Sequence, residues 1–206
     1  ENYYKMQTEV DNLSPSHPIN GFTARFPSTI IPAGDTLHIV LHENYSEFYG
    51  EDFIPNLVMF GSGENSMLET DTNSFGIGNG KIAENSELII LFKWDSDNNP
   101  LIEDVDYFLW GQYHARINKT GISTYKDDTP VNDQTYFLDI APEYSAYLRD
   151  GMIEANETPS GGNGINNHDE TSENFNTSWK VEKIINEGCK DSSASNYDPE
   201  AEIDDG

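Results

Sequence analysis

The stretch ELIILFKWDSDNNPLIEDVDYFLWG (87–111) decides the fold. Its first eight residues (87–94) form a continuous apolar and β-branched run, the pattern of a central strand. DSDNNP (95–100) then turns the chain. The run EDVDYFLWG (103–111) alternates, with Val105, Tyr107 and Leu109 on one face and Asp106, Phe108 and Trp110 on the other. Two such runs joined by a short Asp/Asn turn read as a β-hairpin.

The flanking sequence continues the same theme. Upstream, IPAGDTLHIVLH (31–42) holds a turn at Pro32, Ala33, Gly34 and Asp35. It then alternates Leu37, Ile39 and Leu41 against His38, Val40 and His42, a half-buried strand. YSEFYGEDF (45–53) fits a short helix or an irregular loop, NLVMF (56–60) a brief strand, and the Gly- and Asn-rich 61–86 segment loops. Downstream come a turn-rich loop (119–133), a further short strand in QTYFLDIAP (134–142), and an acidic Gly/Asn-rich segment (143–178). WKVEKIIN (179–186) is a final strand or a linker, with a boundary near Asn186. Short strands, frequent turns and no long 3.6-residue period predict an all-β sandwich over 1–186, with 187–206 as a separate acidic tail.

Composition narrows the function. The 206 residues carry 11 Lys plus Arg against 37 Asp plus Glu, a net charge of −26. Such a charge repels phosphate backbones, so direct nucleic-acid binding is not expected, whereas divalent cations are attracted. No apolar run approaches the roughly 20 residues of a membrane span, so no membrane insertion is expected. The chain opens on ENYYKM without Met and reads as a processed or partial product. The single cysteine leaves the redox compartment open.

Four stretches in register carry a family resemblance. FTARFP with IPAGDTL, then 87–111, then INKTGIS (117–123), then 147–179 through NHDETSE and NTSW resemble the bacterial extracellular lamin-tail domain. The resemblance implies an immunoglobulin-like β-sandwich with long loops. That family opens on strands that this chain does not show before NYYKM. The resemblance therefore implies a complementing protein segment at an open sheet edge. The tail GCKDSSASNYDPEAEIDDG (188–206) is similar to acidic repeats of secreted Bacteroidetes proteins, akin to thrombospondin type-3 calcium repeats. That resemblance implies that Cys189 forms a disulfide with a cysteine beyond Gly206.

Asp191, Asn196, Asp198, Asp204 and Asp205 offer the oxygen ligands calcium requires, and they are the candidate metal ligands; a solvated acidic run is the alternative. DSDNNPLIEDVD (95–106) mimics an EF-hand start at Asp95, Asp97 and Asn99. However, Pro100 stands where that loop needs Gly, and Asp106 where it needs Glu, so a hairpin turn is favoured. NHDETSE (167–173) gathers His168, Asp169, Glu170 and Glu173, a conceivable metal or acid/base group. The similar GHDETSE of the family instead implies that His168, Asp169 and Thr171 form an architectural loop latch. His38 and His42 lie four strand positions apart, about 13 Å, too far to share an ion, and His114 is isolated. Thr36 in Asp35-Thr36-Leu37 resembles the O-glycosylation signal of Bacteroidetes secreted proteins. Asn12, Asn44, Asn118, Asn156 and Asn176 stand in N-x-S/T sequons.

No nucleophile elbow, P-loop, dinucleotide fingerprint or HExxH motif occurs. The acidic surroundings of Cys189 disfavour a reactive thiolate. The first expectation is a non-catalytic, calcium-stabilised extracellular module of a larger secreted or cell-surface protein. Two alternatives remain open. One is an accessory domain of a secreted nuclease or phosphoesterase whose catalytic part lies outside this chain. The other is a substrate captured on a secretion or surface apparatus, such as that of type IX secretion.

Overall fold

Ten short strands carry the described part of this computed structural model, which comprises residues 3, 24–50, 52–69, 82, 85–95, 99–111, 116–142, 145–151 and 157–205. In chain order they are β1 (Ala24–Arg25), β2 (Ile39–His42), β3 (Leu57–Phe60), β4 (Leu68–Glu69), β5 (Glu87–Asp95), β6 (Asn99–Trp110), β7 (Ser145–Arg149), β8 (Trp179–Lys183), β9 (Glu187–Gly188) and β10 (Ile203–Asp204). The helical pieces are single turns, including Ser46–Tyr49 and Phe175–Ser178. None of the described helices is long and apolar enough to cross a membrane. His114, Asp97, Asn12 and Asn156 lie outside the described residues.

The chain divides into two units, one spanning Lys5–Ile82 and the other combining Glu1–Tyr4 with Ala83–Gly206. In the first, β1 pairs antiparallel with β4, and β2 pairs parallel with β3. The parallel pair needs a crossover, which the helical turns at 43–49 supply. Its core is Val40, Leu57, Val58 and Met67. The buried position of β2 is thus Val40, on the histidine face, while Leu37, Ile39 and Leu41 stay half-exposed. The cause is packing from the side. His42 stacks on Phe60 with ring centroids 5.4 Å apart, and the ring of His38, itself exposed, lies 5.8 Å from that of Phe53, so aromatic partners flank Val40 on that face.

In the second unit the 87–110 stretch forms an antiparallel hairpin, with β5 and β6 paired from Glu87↔Trp110 to Asp95↔Asn99 and the register shifting between Leu91 and Phe92 and again between Lys93 and Asp95. β5 is not the buried central strand that its composition predicts. No residue of it is fully buried, and Ile89 and Leu91 point outward. A continuous apolar run specifies a strand but not its neighbours, and among the described residues only β6 pairs with it.

The core sits on β6. Its register slips between Leu91 and Phe92, which face Asp106 and Asp104 respectively, so Val105 is the extra residue of a bulge. Full burial accordingly runs through Ile102 and Asp104 before the bulge and through Tyr107 and Leu109 after it. Simple alternation would have placed Asp104 opposite Tyr107. Phe108 stacks on Trp179 at 4.0 Å and meets Phe175 edge-on, closing the other side of the strand. β7 and β8 pair antiparallel from Ser145↔Lys183 to Arg149↔Trp179, so the 179–186 run begins as a strand. Gly111 ends β6 at φ +76°, where a Cβ would lie 1.8 Å from the Asn85 carbonyl oxygen, so only glycine fits.

The strand predicted at 134–142 is absent but for one bridge, Phe137 to Trp110. Side chains tie the segment down instead, Gln134 to the preceding loop and Asn176 to the segment's own backbone. Gln134 Nε2 donates to the carbonyls of Ile117 and Thr129. Asn176 accepts from the Leu138 N–H and donates to the Tyr136 carbonyl.

Candidate functional site

The bulge on β6 turns Asp104 into the core, where its carboxylate needs partners. They come from the following loop. Lys119 is entirely buried and its Nζ donates to Asp104 Oδ2, while Asp128 Oδ1 lies 3.7 Å from the same nitrogen. The loop is shaped for this. The Lys119 N–H donates to Asp128 Oδ2 at 2.8 Å, and Asn118 Oδ1 accepts from the Thr120 N–H. Asn163 Nδ2 donates to Asp128 Oδ1 at 3.1 Å. Two rings flank the ammonium, Tyr3 at 5.3 Å and Tyr125 at 5.6 Å, within cation–π range. The Tyr3 hydroxyl donates to Asp104 Oδ1, and its ring meets Phe92 at 5.2 Å.

The electrostatics follow from burial. One cation faces two buried carboxylates, an arrangement that is costly if both are charged. Burial pushes the Asp128 carboxyl up, against the Lys119 charge, its N–H and the Asn163 amide, which lower it. Burial, then the Asp104 charge, raise the Tyr3 phenol well above its ordinary value, so it remains a donor.

The 157–173 segment wraps this cluster. The Asp104 N–H donates to the Asn163 carbonyl, and the Gly164 N–H to that of His168. Gly162 has no room for a side chain, since a Cβ there would sit 2.1 Å from the His168 carbonyl oxygen. Asp169 Oδ1 accepts from the N–H and hydroxyl of Thr171, and its Oδ2 from the hydroxyl of Thr129. The Thr129 N–H donates to Thr171 Oγ1 at 3.0 Å, tying the two loops together. The His168 imidazole points elsewhere; its Nδ1 lies 2.8 Å from Glu157 Oε1. Glu173 instead pairs with Arg149, which also holds Asp106 at 2.8 Å and lies over Trp179.

Glu157, His168 and Glu170 bring one ligand atom each within 4.8 Å of one another, the one such group of His, Cys, Asp or Glu among the described residues. The mixed nitrogen and oxygen donors suit a zinc-like ion better than calcium, which takes oxygen alone. Glu157 is the middle residue of the sequon Asn156-Glu157-Thr158, and no local pattern marks it as a ligand.

The tail is ordered differently. β9 and β10 pair parallel, Ile203↔Glu187 and Asp204↔Gly188, and the Asp198 N–H donates to the Cys189 carbonyl. Asp191 Oδ1 accepts from the Ser193 N–H and hydroxyl, and these bonds hold its carboxyl below the usual range. Asp198 accepts from the Glu200 N–H and from Asn186 Nδ2, and Asp204 from the Lys190 N–H. Asn196 and Asp205 are exposed. The donor chemistry suits calcium, yet no three tail carboxylates converge, so a calcium ion would have to draw them together. Cys189 is a half-buried free cysteine. Thr36 lies exposed before β2, its N–H donating to Asp35 Oδ1.

No family model matches the chain, and neither a curated protein nor a solved structure matches it.

Proposed function

We propose that this chain is a non-catalytic module of a larger secreted or cell-surface protein, an immunoglobulin-like β-sandwich of the lamin-tail type that serves binding, spacing or display. The observation that carries this reading is the polar lock around β6. Buried side chains fix the loops at 116–134 and 157–173 to one strand. Loops fixed in this way present a constant surface, which recognition or spacing uses. The outward Ile89 and Leu91 on β5 offer an apolar strip to a complementing protein segment or a surface apparatus. The charge of −26 suits a calcium-containing exterior, where divalent ions screen the repulsion among acidic groups.

Surface exposure is tested by protease accessibility on intact cells of the source; complete protection would sink the reading. Calcium is tested by calorimetry and by melting with and without chelator. At a hundredfold excess over Kd, a folded-state ligand stabilises by about 2.7 kcal/mol, or about 5–10 °C for a chain of this size. An unchanged melting temperature at millimolar calcium removes calcium from the proposal.

A further inference from the structure

Independently of that reading, we propose that Lys119 and Asp104 become joined by an amide bond between their side chains, formed by the folded protein itself with Asp128 as proton relay. The reacting groups are already in contact: Lys119 Nζ donates to Asp104 Oδ2, and neither side chain is more than 3% exposed. Such positioning is worth effective concentrations on the order of 10⁵–10⁸ M in intramolecular reactions.

The surroundings favour condensation. In water the ammonium and carboxylate ions are solvated, and amide formation does not proceed. In a dry site the ion pair loses that solvation. A proton passing from Nζ to the carboxylate then gives a neutral amine and a neutral acid. The amine attacks Cγ of Asp104, and the C–O bond to Oδ2 breaks. The products are one neutral amide and one water, so the ammonium loses two protons in all, both leaving in the water with Oδ2. No oxidant or other reactant is needed.

Each neighbour has a place in that step. The Tyr3 hydroxyl donates to Oδ1, the oxygen on which negative charge develops during attack, as an oxyanion donor does. Asp128 Oδ1, 3.7 Å from Nζ, stands where a group can take a proton from nitrogen and pass it to the departing oxygen. A single structural ion pair needs one carboxylate. The second gives a proton in transit from nitrogen to Oδ2 a place to rest, and burial raises its affinity for that proton.

The test is the intact mass of the folded wild-type protein, measured after denaturation, followed by tryptic mapping. The expected mass is lower than the sequence mass by one water, about 18 Da. Trypsin should fail to cut after Lys119 and should release peptide 94–116 joined to peptide 117–126. Lys119→Arg and Asp104→Ala should keep the full mass. Asp128→Asn should cross-link more slowly, and the same rate as wild type would overturn its role as relay. A folded wild-type protein of full mass, cleaved normally after Lys119, overturns the proposal. So does a water loss that maps elsewhere, such as cyclisation of Glu1.

Discussion

The Lys119 cluster and the acidic tail use the same residue type to opposite ends. Around Lys119, two aspartates from distant positions share one buried ammonium and two aromatic rings. In the tail, aspartates close together in sequence bond mainly to backbone N–H groups nearby, two residues on at Asp191 and Asp198. Burial makes the first set interdependent, because each charge left alone would lose its solvation. Exposure makes the second set local, because water satisfies whatever the turns do not. An aspartate's contribution therefore depends on its surroundings far more than on its neighbours in the chain.

Removing the shared cation should have the largest effect. Measured by denaturant unfolding against wild-type chains of full mass, in which the ion pair is intact, Lys119→Met should destabilise the fold by about 3–5 kcal/mol, the usual result of leaving a buried charge unpaired. A loss below 1 kcal/mol would mean that the cluster does not hold the loops. Next in size is Asp169→Ala, which deletes one hydrogen bond to the 116–134 loop, from Thr129, and two within 157–173, from Thr171. About 2 kcal/mol is expected at roughly 0.5–1.5 per bond, with amide exchange speeding up first in 157–173.

A smaller effect separates the two regions by sign. Asp128 has its carboxyl raised by burial. Its contribution is fully present below the unfolded value of 3.8 and is lost as pH rises through the folded value. Asp191 has its carboxyl lowered by Ser193, so its contribution is present above 3.8 and lost as pH falls through the folded value. With increasing pH, Asp128→Asn should gain stability relative to wild type and Asp191→Asn should lose it. Parallel trends would show that the two carboxylates do not differ as described. The smallest effect is Asp191→Ala, expected to shift the melting temperature by about 2 °C or less at neutral pH. A large drop would show that the tail supports the core.

Much of the strand framework is legible in the residues. The 87–110 hairpin follows from a β-branched run, an Asp/Asn turn and an alternating run, all local signals. β3 and the turn at Pro32 to Asp35 were legible for the same reason. The 134–142 strand misleads because its apolar residues look self-sufficient, while the Asn176 side chain supplies two of the backbone hydrogen bonds a ladder would have made. The site is less legible. Asp169 and Thr171 stand two residues apart, and such a pair announces an Asx-type turn. Lys119 sits in INKTGIS, which reads as a surface turn, and lysine is almost never fully buried unless paired. Its partners at 104 and 128 are visible only once the chain has folded.

By itself, then, the sequence determined that strands and tight turns build this protein, where the main hairpin lies, and that acidic groups dominate its surface chemistry. These are properties of local pattern and composition. Tertiary structure alone decided which strand became the core and which aspartates became buried. A one-residue bulge at Val105 shifts the phase of β6 and carries Asp104 from one face to the other. A period-two pattern has no means of signalling such a slip, because each residue it displaces still obeys the alternation on its own side of the bulge.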